Sequence, residues 1–133
     1  MAKPSIPEEE LMGTGHFGCL GCGACQAMRY ALKALGPNTI ITVPACCWAV
    51  MPGVFPYTRI KIPMLYHAFE VTGAAISGVE AALKALGRED INVVGWAGDG
   101  GTMDIGVQAI SGAAERGHNV LYLCYDNEAY MNT

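Results

Sequence analysis

Asp99 sits within Gly98-Asp99-Gly100-Gly101, directly after the apolar run Val93-Val94-Gly95-Trp96-Ala97, and Asp126-Asn127-Glu128 follows a second apolar run from Val120 to Tyr125. A glycine-flanked carboxylate between a strand and a helical pattern is where an open α/β sheet offers backbone N–H groups to an anion. Asp99 would hold a cation against that anion. If the two strands are parallel neighbours, the Asn127 amide oxygen lands beside it. Oxygen donors from two strand ends suit Mg²⁺, which takes few protein ligands and leans on phosphate oxygens. Taken singly, Gly-Asp-Gly reads as a turn and Asp-Asn as an Asx turn. Together they point to a diphosphate and metal site.

Cysteine is the second chemical signal. Six occur, at 19, 22, 25, 46, 47 and 124, and three of them fall in Cys19-Leu20-Gly21-Cys22-Gly23-Ala24-Cys25. That spacing fits metal binding better than disulfides, and on its own it resembles a ferredoxin ligand run. Cys124, in mid-strand, reads as a core thiol. His16 and His67 fall near the candidate site and are open either to direct function or to backbone hydrogen bonding, whereas His118 in its turn reads as solvated.

The elements that must position these groups follow from periodicity. Met28, Ala31, Leu32 and Leu35 recur at helical spacing, and Gly36-Pro37 stops that run. A short buried strand follows at 40–43. Residues 44–63, rich in proline and aromatics without a period, read as an ordered loop whose Trp48, Phe55 and Tyr57 pack on a ligand or another subunit. A second helix is expected over 68–86, with Val71, Ala75, Gly78, Val79, Ala82, Leu83 and Leu86 on its apolar stripe, and a third over 104–116. Ala-Leu-Lys-Ala-Leu-Gly occurs at 31–36 and again at 82–87, an echo of one unit rather than a solenoid. Strands alternating with helices imply an α/β fold, a doubly wound, mostly parallel sheet with its site at the carboxyl ends of the strands.

The chain has 133 residues, 52% of them apolar and only 15% charged. This length suits one domain: an extended lead over 1–14, without a core pattern and lying on a neighbour, then a domain over 15–133. The low charge fraction points to surfaces covered by partners. A net charge of −4 without a Lys/Arg cluster argues against nucleic acid or an anionic membrane. No apolar run is long enough to span a bilayer. The Glu- and Pro-rich start is neither a signal nor a transit peptide, so a cytoplasmic setting is expected.

Several segments resemble one family: Gly15-His16 with Cys19-x-x-Cys22-Gly23, Phe55-Pro56-Tyr57-Thr58 after Cys47, His67-Ala68-Phe69-Glu70, Gly98-Asp99-Gly100-Gly101-Thr102-x-Asp104-Ile105-Gly106, and Cys124-Tyr125-Asp126-Asn127-Glu128-Ala129-Tyr130-Met131-Asn132-Thr133. From Gly15 to Thr133 the chain is similar to the β subunit of 2-oxoacid:ferredoxin oxidoreductases of the pyruvate synthase type. The resemblance implies the diphosphate half of a thiamine diphosphate site and a nearby [4Fe–4S] cluster. Asp99, the Asn127 side chain and the Ala129 carbonyl would bind Mg²⁺, with Gly98, Gly100 and Gly101 at the diphosphate. Phe69 would touch the cofactor's rings or serve only as core, and Asn132 would face the substrate or serve only as a turn residue. For the cluster the family's register implies Cys19, Cys22 and Cys47, in place of Cys25, which lies in the helix that Cys22 opens.

The reaction so implied is oxidative decarboxylation of a small 2-oxoacid, with electrons passed through the cluster to a ferredoxin or ferredoxin-like subunit and the acyl group to coenzyme A. An α-type subunit would supply the aminopyrimidine half of the site. Phe17 replaces a usual Arg, and Val71-Thr72-Gly73 stands where pyruvate-type subunits have Asn-Ala-Ala, so an acid other than pyruvate, even oxalate, stays open. So do a non-oxidative thiamine diphosphate-dependent decarboxylase, which has no use for the cysteines, and an electron-carrier or zinc module, which has no use for the cofactor. Because the family's fourth cluster cysteine lies beyond position 133, the chain is expected to be C-terminally incomplete and inactive alone.

Overall fold

The computed structural model describes residues 5–131. Its elements run α1 (Gly23–Leu35), β1 (Thr39–Pro44), α2 (Cys47–Val50), β2 (Met64–His67), α3 (Thr72–Ala85), β3 (Asn92–Gly98), a π-helical turn (Gly100–Asp104), α4 (Val107–Glu115) and β4 (Leu121–Tyr125). All four strands are parallel, in the order β2-β1-β3-β4. The doubly wound α/β sheet expected from the alternation is the one found.

Strand β1 pairs with β2 on one side and β3 on the other, so the chain reverses its direction of travel across the sheet between β1 and β3. Loops diverge at such a point and leave a crevice at the carboxyl ends. The segment after β1 carries Cys46 and Cys47, and the segment after β3 carries Asp99. Sequence neighbours of both chemical signals therefore meet at one end of the sheet.

Side chains alternate across β1 and β3. Ile41, Val43, Val94 and Trp96 join Met28 and Leu32 of α1 and Trp48 of α2 in the main core. On the opposite face Gly95 lets α3 approach: a Cβ there would lie 2.9 Å from Thr72 Cγ2 and 3.1 Å from Ile76 Cγ2. Helix α1 ends where Gly36 adopts φ 79° and its N–H caps the Leu32 carbonyl, as the Gly-Pro signal requires.

Four expectations are corrected. Strand β2 falls at the foot of the long loop, because Met-Leu-Tyr-His is too short to show a period and becomes a strand only by pairing with β1. Helix α3 begins at Thr72, not 68, and buries Thr72, Gly73 and Ile76 rather than the Val71-to-Leu86 stripe, whose Leu86 is 74% exposed. The lead is not without core residues: Leu11 and Met12 are buried, and Met12 bridges Ile60. It is tied to its own chain by Lys33, whose Nζ donates to the Pro7, Glu8 and Glu9 carbonyls and pairs with Glu10 at 2.9 Å. A nearly buried ammonium needs such saturation. Finally, helix α4 starts at Val107 because the π-helical turn takes up the preceding residues.

Closure of that turn depends on Gly106, where a Cβ would lie 1.9 Å from the Gly101 carbonyl oxygen. Gly106→Ala is expected to destabilise the protein by about 1–3 kcal/mol, the usual range for overpacking, despite alanine's better helix propensity. Urea unfolding should show a lower midpoint with an unchanged slope; an unchanged midpoint would mean the turn opens at no cost.

Candidate active site

Register places the last residue of β3 opposite the last of β4, Gly98 against Tyr125. Asp99 and Asn127 leave these two strand ends side by side, as the parallel reading expected. The Asn127 amide oxygen stands 2.9 Å from Asp99 Oδ1 and 2.9 Å from the Ala129 carbonyl oxygen, so it faces acceptors only; turned over, the amide would donate to both. Neighbouring ligands of an octahedral Mg²⁺ with bonds of 2.0–2.1 Å lie about 2.8–3.0 Å apart. Whichever way the amide is turned, its outer atom lies at a spacing from Asp99 and the Ala129 carbonyl that neighbouring ligands of an octahedral Mg²⁺ would take.

The loop after β4 is built for this convergence. Asp126 accepts the Glu128 N–H at 3.0 Å in an Asx turn, and Glu128 takes a left-handed φ of 53°. A non-glycine residue there costs energy and is held by its surroundings. The resulting reversal returns the Ala129 carbonyl towards Asn127. Asp126, although acidic and adjacent, is thus spent on the turn.

Gly98, Gly100 and Gly101 form the floor beneath these oxygens. Thr102 fixes it, its Oγ1 donating to the Gly98 carbonyl at 2.6 Å and meeting Tyr122 Oη at 3.1 Å. A Cβ on Gly101 would lie 3.0 Å from the Phe69 ring, and one on Gly100 only 2.7 Å from the Tyr130 ring. Phe69 and Tyr130 face each other at 6.3 Å between centroids, and the Tyr130 hydroxyl donates to Asp104, which pushes the phenol's pKa up. With Tyr130 on the floor, the space left above the glycines is about 10 Å³. An anion on these glycines would need the space that the Tyr130 ring takes.

A larger cavity, about 420 Å³, opens beside this cradle, and Cys22 and Cys47 line it together with Asp126 and Asn127. Two soft thiol donors face one space that no side chain fills, which suits an iron–sulfur group. Cys19 lies on the exposed turn whose carbonyl accepts the Cys22 N–H at 3.1 Å. Among the described residues no three His, Cys, Asp or Glu side chains are gathered closely enough to hold an ion.

Cys25 faces the opposite way, onto a cavity of about 660 Å³ shared with His16, Arg29 and Lys61. Its Sγ lies 3.6 Å from Met51 Sδ, and burial together with Cys22 pushes its thiol pKa up. Burial raises the Cys46 thiol likewise.

Three remaining expectations are settled by position. Cys124 is exposed on the edge strand β4, not a core thiol. His118 is not solvated: its Nδ1 lies 2.8 Å from Glu80 Oε2, each side chain 16% exposed. His16 accepts the Gly18 N–H at 3.2 Å, and His67 Nδ1 donates to the Ala68 carbonyl at 2.9 Å while burial lowers its pKa. Both histidines thus bond the backbone through Nδ1, and His67 Nε2 is buried without a partner among the described residues. Asn132 lies outside the described residues. Sequence reasoning missed Thr102, Tyr125 and Tyr130 as parts of the site; all three sit inside or beside the quoted motifs, and their apolar or small neighbours gave no sign of which way they point.

The sequence model of the thiamine pyrophosphate enzymes' C-terminal TPP-binding domain matches residues 47–133. Curated relatives include pyruvate synthase subunit PorB of Methanothermobacter thermautotrophicus, 59% identical over 96% of this chain and 44% of the relative. Ketoisovalerate oxidoreductase subunit VorB of Pyrococcus furiosus is 56% identical over 98% of this chain and 44% of its own length. Pyruvate synthase subunit PorB of Methanocaldococcus jannaschii is 52% identical over 100% of this chain and 47% of its own. The chain spans less than half the length of these relatives. The chain belongs to the thiamine pyrophosphate enzymes through their C-terminal TPP-binding domain, and it is similar along nearly its whole length to subunits of pyruvate synthase and ketoisovalerate oxidoreductase.

Proposed function

We propose that this chain is the diphosphate-binding part of a 2-oxoacid:ferredoxin oxidoreductase that oxidatively decarboxylates pyruvate or a similarly small 2-oxoacid. The observation that carries the reading is the convergence of Asn127, Asp99 and the Ala129 carbonyl at 2.9 Å spacing. Asp99 would neutralise Mg²⁺, Asn127 and Ala129 would complete its protein ligands, and Gly98, Gly100 and Gly101 would let the diphosphate approach the backbone. Thiamine diphosphate, when bound, supplies the electron sink on which a 2-oxoacid loses CO₂. Phe69 would pack on a ring of the cofactor, and Asn132 would face the substrate by its place in the motif.

Cys22 and Cys47 would hold a [4Fe–4S] cluster across the 420 Å³ cavity, with Cys19 reaching in from its turn. Six cysteines with no disulfide among them suit a reducing, cytoplasmic setting. No helix among the described residues is long and apolar enough to cross a membrane. An α-type subunit would cover the cofactor's other half, coenzyme A would take the acyl group, and a ferredoxin would take the electrons. The names of the relatives, one for pyruvate and one for ketoisovalerate, support a substrate class of small 2-oxoacids.

Purified holoenzyme is expected to contain iron and thiamine diphosphate and to reduce viologen or ferredoxin when given pyruvate or another 2-oxoacid. Decarboxylation without iron would favour the non-oxidative reading. Iron without thiamine diphosphate would favour an electron carrier.

A further inference from the structure

Two side chains line both the glycine cradle and the thiol cavity: Asn127, committed to the metal, and Tyr125. Tyr125 ends β4 opposite Gly98, with its hydroxyl so close that a Cβ on Gly98 would lie 3.2 Å from it. Its ring packs against the main core. The Cys46 thiol hydrogen-bonds with the Tyr125 side chain. Cys46 is fully extended (φ −164°, ψ −171°), so consecutive side chains diverge: Cys46 lines the cradle while Cys47 lines the thiol cavity. Tyr125 is therefore the filled partition between the two spaces, clamped by Cys46 and ending one residue before the metal-site loop.

We propose that Tyr125, held in place by Cys46, is the packed bridge across which electrons pass from the cofactor cradle to the cluster cavity. The proposal rests on the reading of thiamine diphosphate in the first space and an iron–sulfur cluster in the second. With both groups bound, the cofactor side would give up one electron and the cluster would accept it, so the exchange balances without Tyr125. Tyr125 is neither oxidised nor reduced, and no bond or proton moves at it. Its contribution is to fill the gap, since tunnelling decays faster through empty space or loose water than through packed atoms. It is a positioning residue rather than a catalytic one.

The test uses the purified holoenzyme and follows cluster reduction optically and by EPR after rapid mixing with the 2-oxoacid. Tyr125→Leu is expected to keep wild-type iron content, thiamine diphosphate content and the EPR signal after dithionite reduction, yet to slow oxoacid-driven cluster reduction about tenfold, equivalent to about 1.4 kcal/mol of barrier. Tyr125→Phe, which keeps the ring, is expected to restore most of the rate. An unchanged oxoacid-driven rate in Tyr125→Leu with an intact cluster would overturn the bridge and leave the functional reading standing. Wild-type holoenzyme lacking iron or thiamine diphosphate would overturn the functional reading, and the bridge with it. If Tyr125→Leu fails to accumulate, Cys46→Ala decides: slower oxoacid-driven reduction with an unaltered dithionite-reduced signal supports the bridge, and an unchanged rate overturns it.

Discussion

Asp99→Ala holoenzyme is expected to leave purification without thiamine diphosphate and without magnesium. Asp99 is the anionic member of the oxygen trio, and its removal leaves Asn127 and a backbone carbonyl, both neutral, to hold a divalent cation against a diphosphate. Losing an outer partner of a metal ligand already costs roughly 10–100-fold in affinity, so losing the charged ligand itself should exceed that. Asn127→Leu should act in the same direction more weakly, because it removes an uncharged donor. The measurement is cofactor and magnesium content per subunit. Stoichiometric thiamine diphosphate in Asp99→Ala would remove Asp99 from the metal.

Cys47→Ser is expected to lose most of the iron and the EPR signal of the reduced protein, while Cys25→Ser and Cys46→Ser keep both. Cys47 shares its cavity with Cys22, whereas Cys25 opens onto the cavity of His16, Arg29 and Lys61, and Cys46 is turned to Tyr125. Serine oxygen is a harder donor than a thiolate and holds iron–sulfur clusters poorly. The reverse pattern, with iron lost in Cys25→Ser and kept in Cys47→Ser, would restore the local Cys-x-x-Cys-x-x-Cys reading.

The parts of the site that could be read in the sequence are those fixed by local rules. Asp99 and Asn127 follow apolar strands, parallel alternation puts strand ends together, and Gly36 ends α1 by its own geometry. What escaped depends on distant neighbours. Strand β2 exists through its pairing with β1, and Cys124 is exposed because β4 has no strand on its outer side among the described residues. His118 finds Glu80 on a helix far back in the chain, and Leu11 and Met12 gain their burial from Ile60 and its surroundings. The apolar stripe on α3 misled because a helix wedged between a sheet and α4 buries its small residues, Thr72 and Gly73, where the backbones come closest.

The chain has two tryptophans, and they form one edge-to-face pair, Trp48 and Trp96, with ring centroids 5.8 Å apart. Both are in the core, and Trp48 directly follows Cys47. All of the chain's indole emission therefore originates at one dry spot behind the thiol cavity. Iron–sulfur chromophores quench nearby excited indoles by energy and electron transfer, so a cluster held beside Cys47 would be readable as a loss of fluorescence, without a label. The packing that stabilises the sheet thus also sets an optical gauge one residue from Cys47.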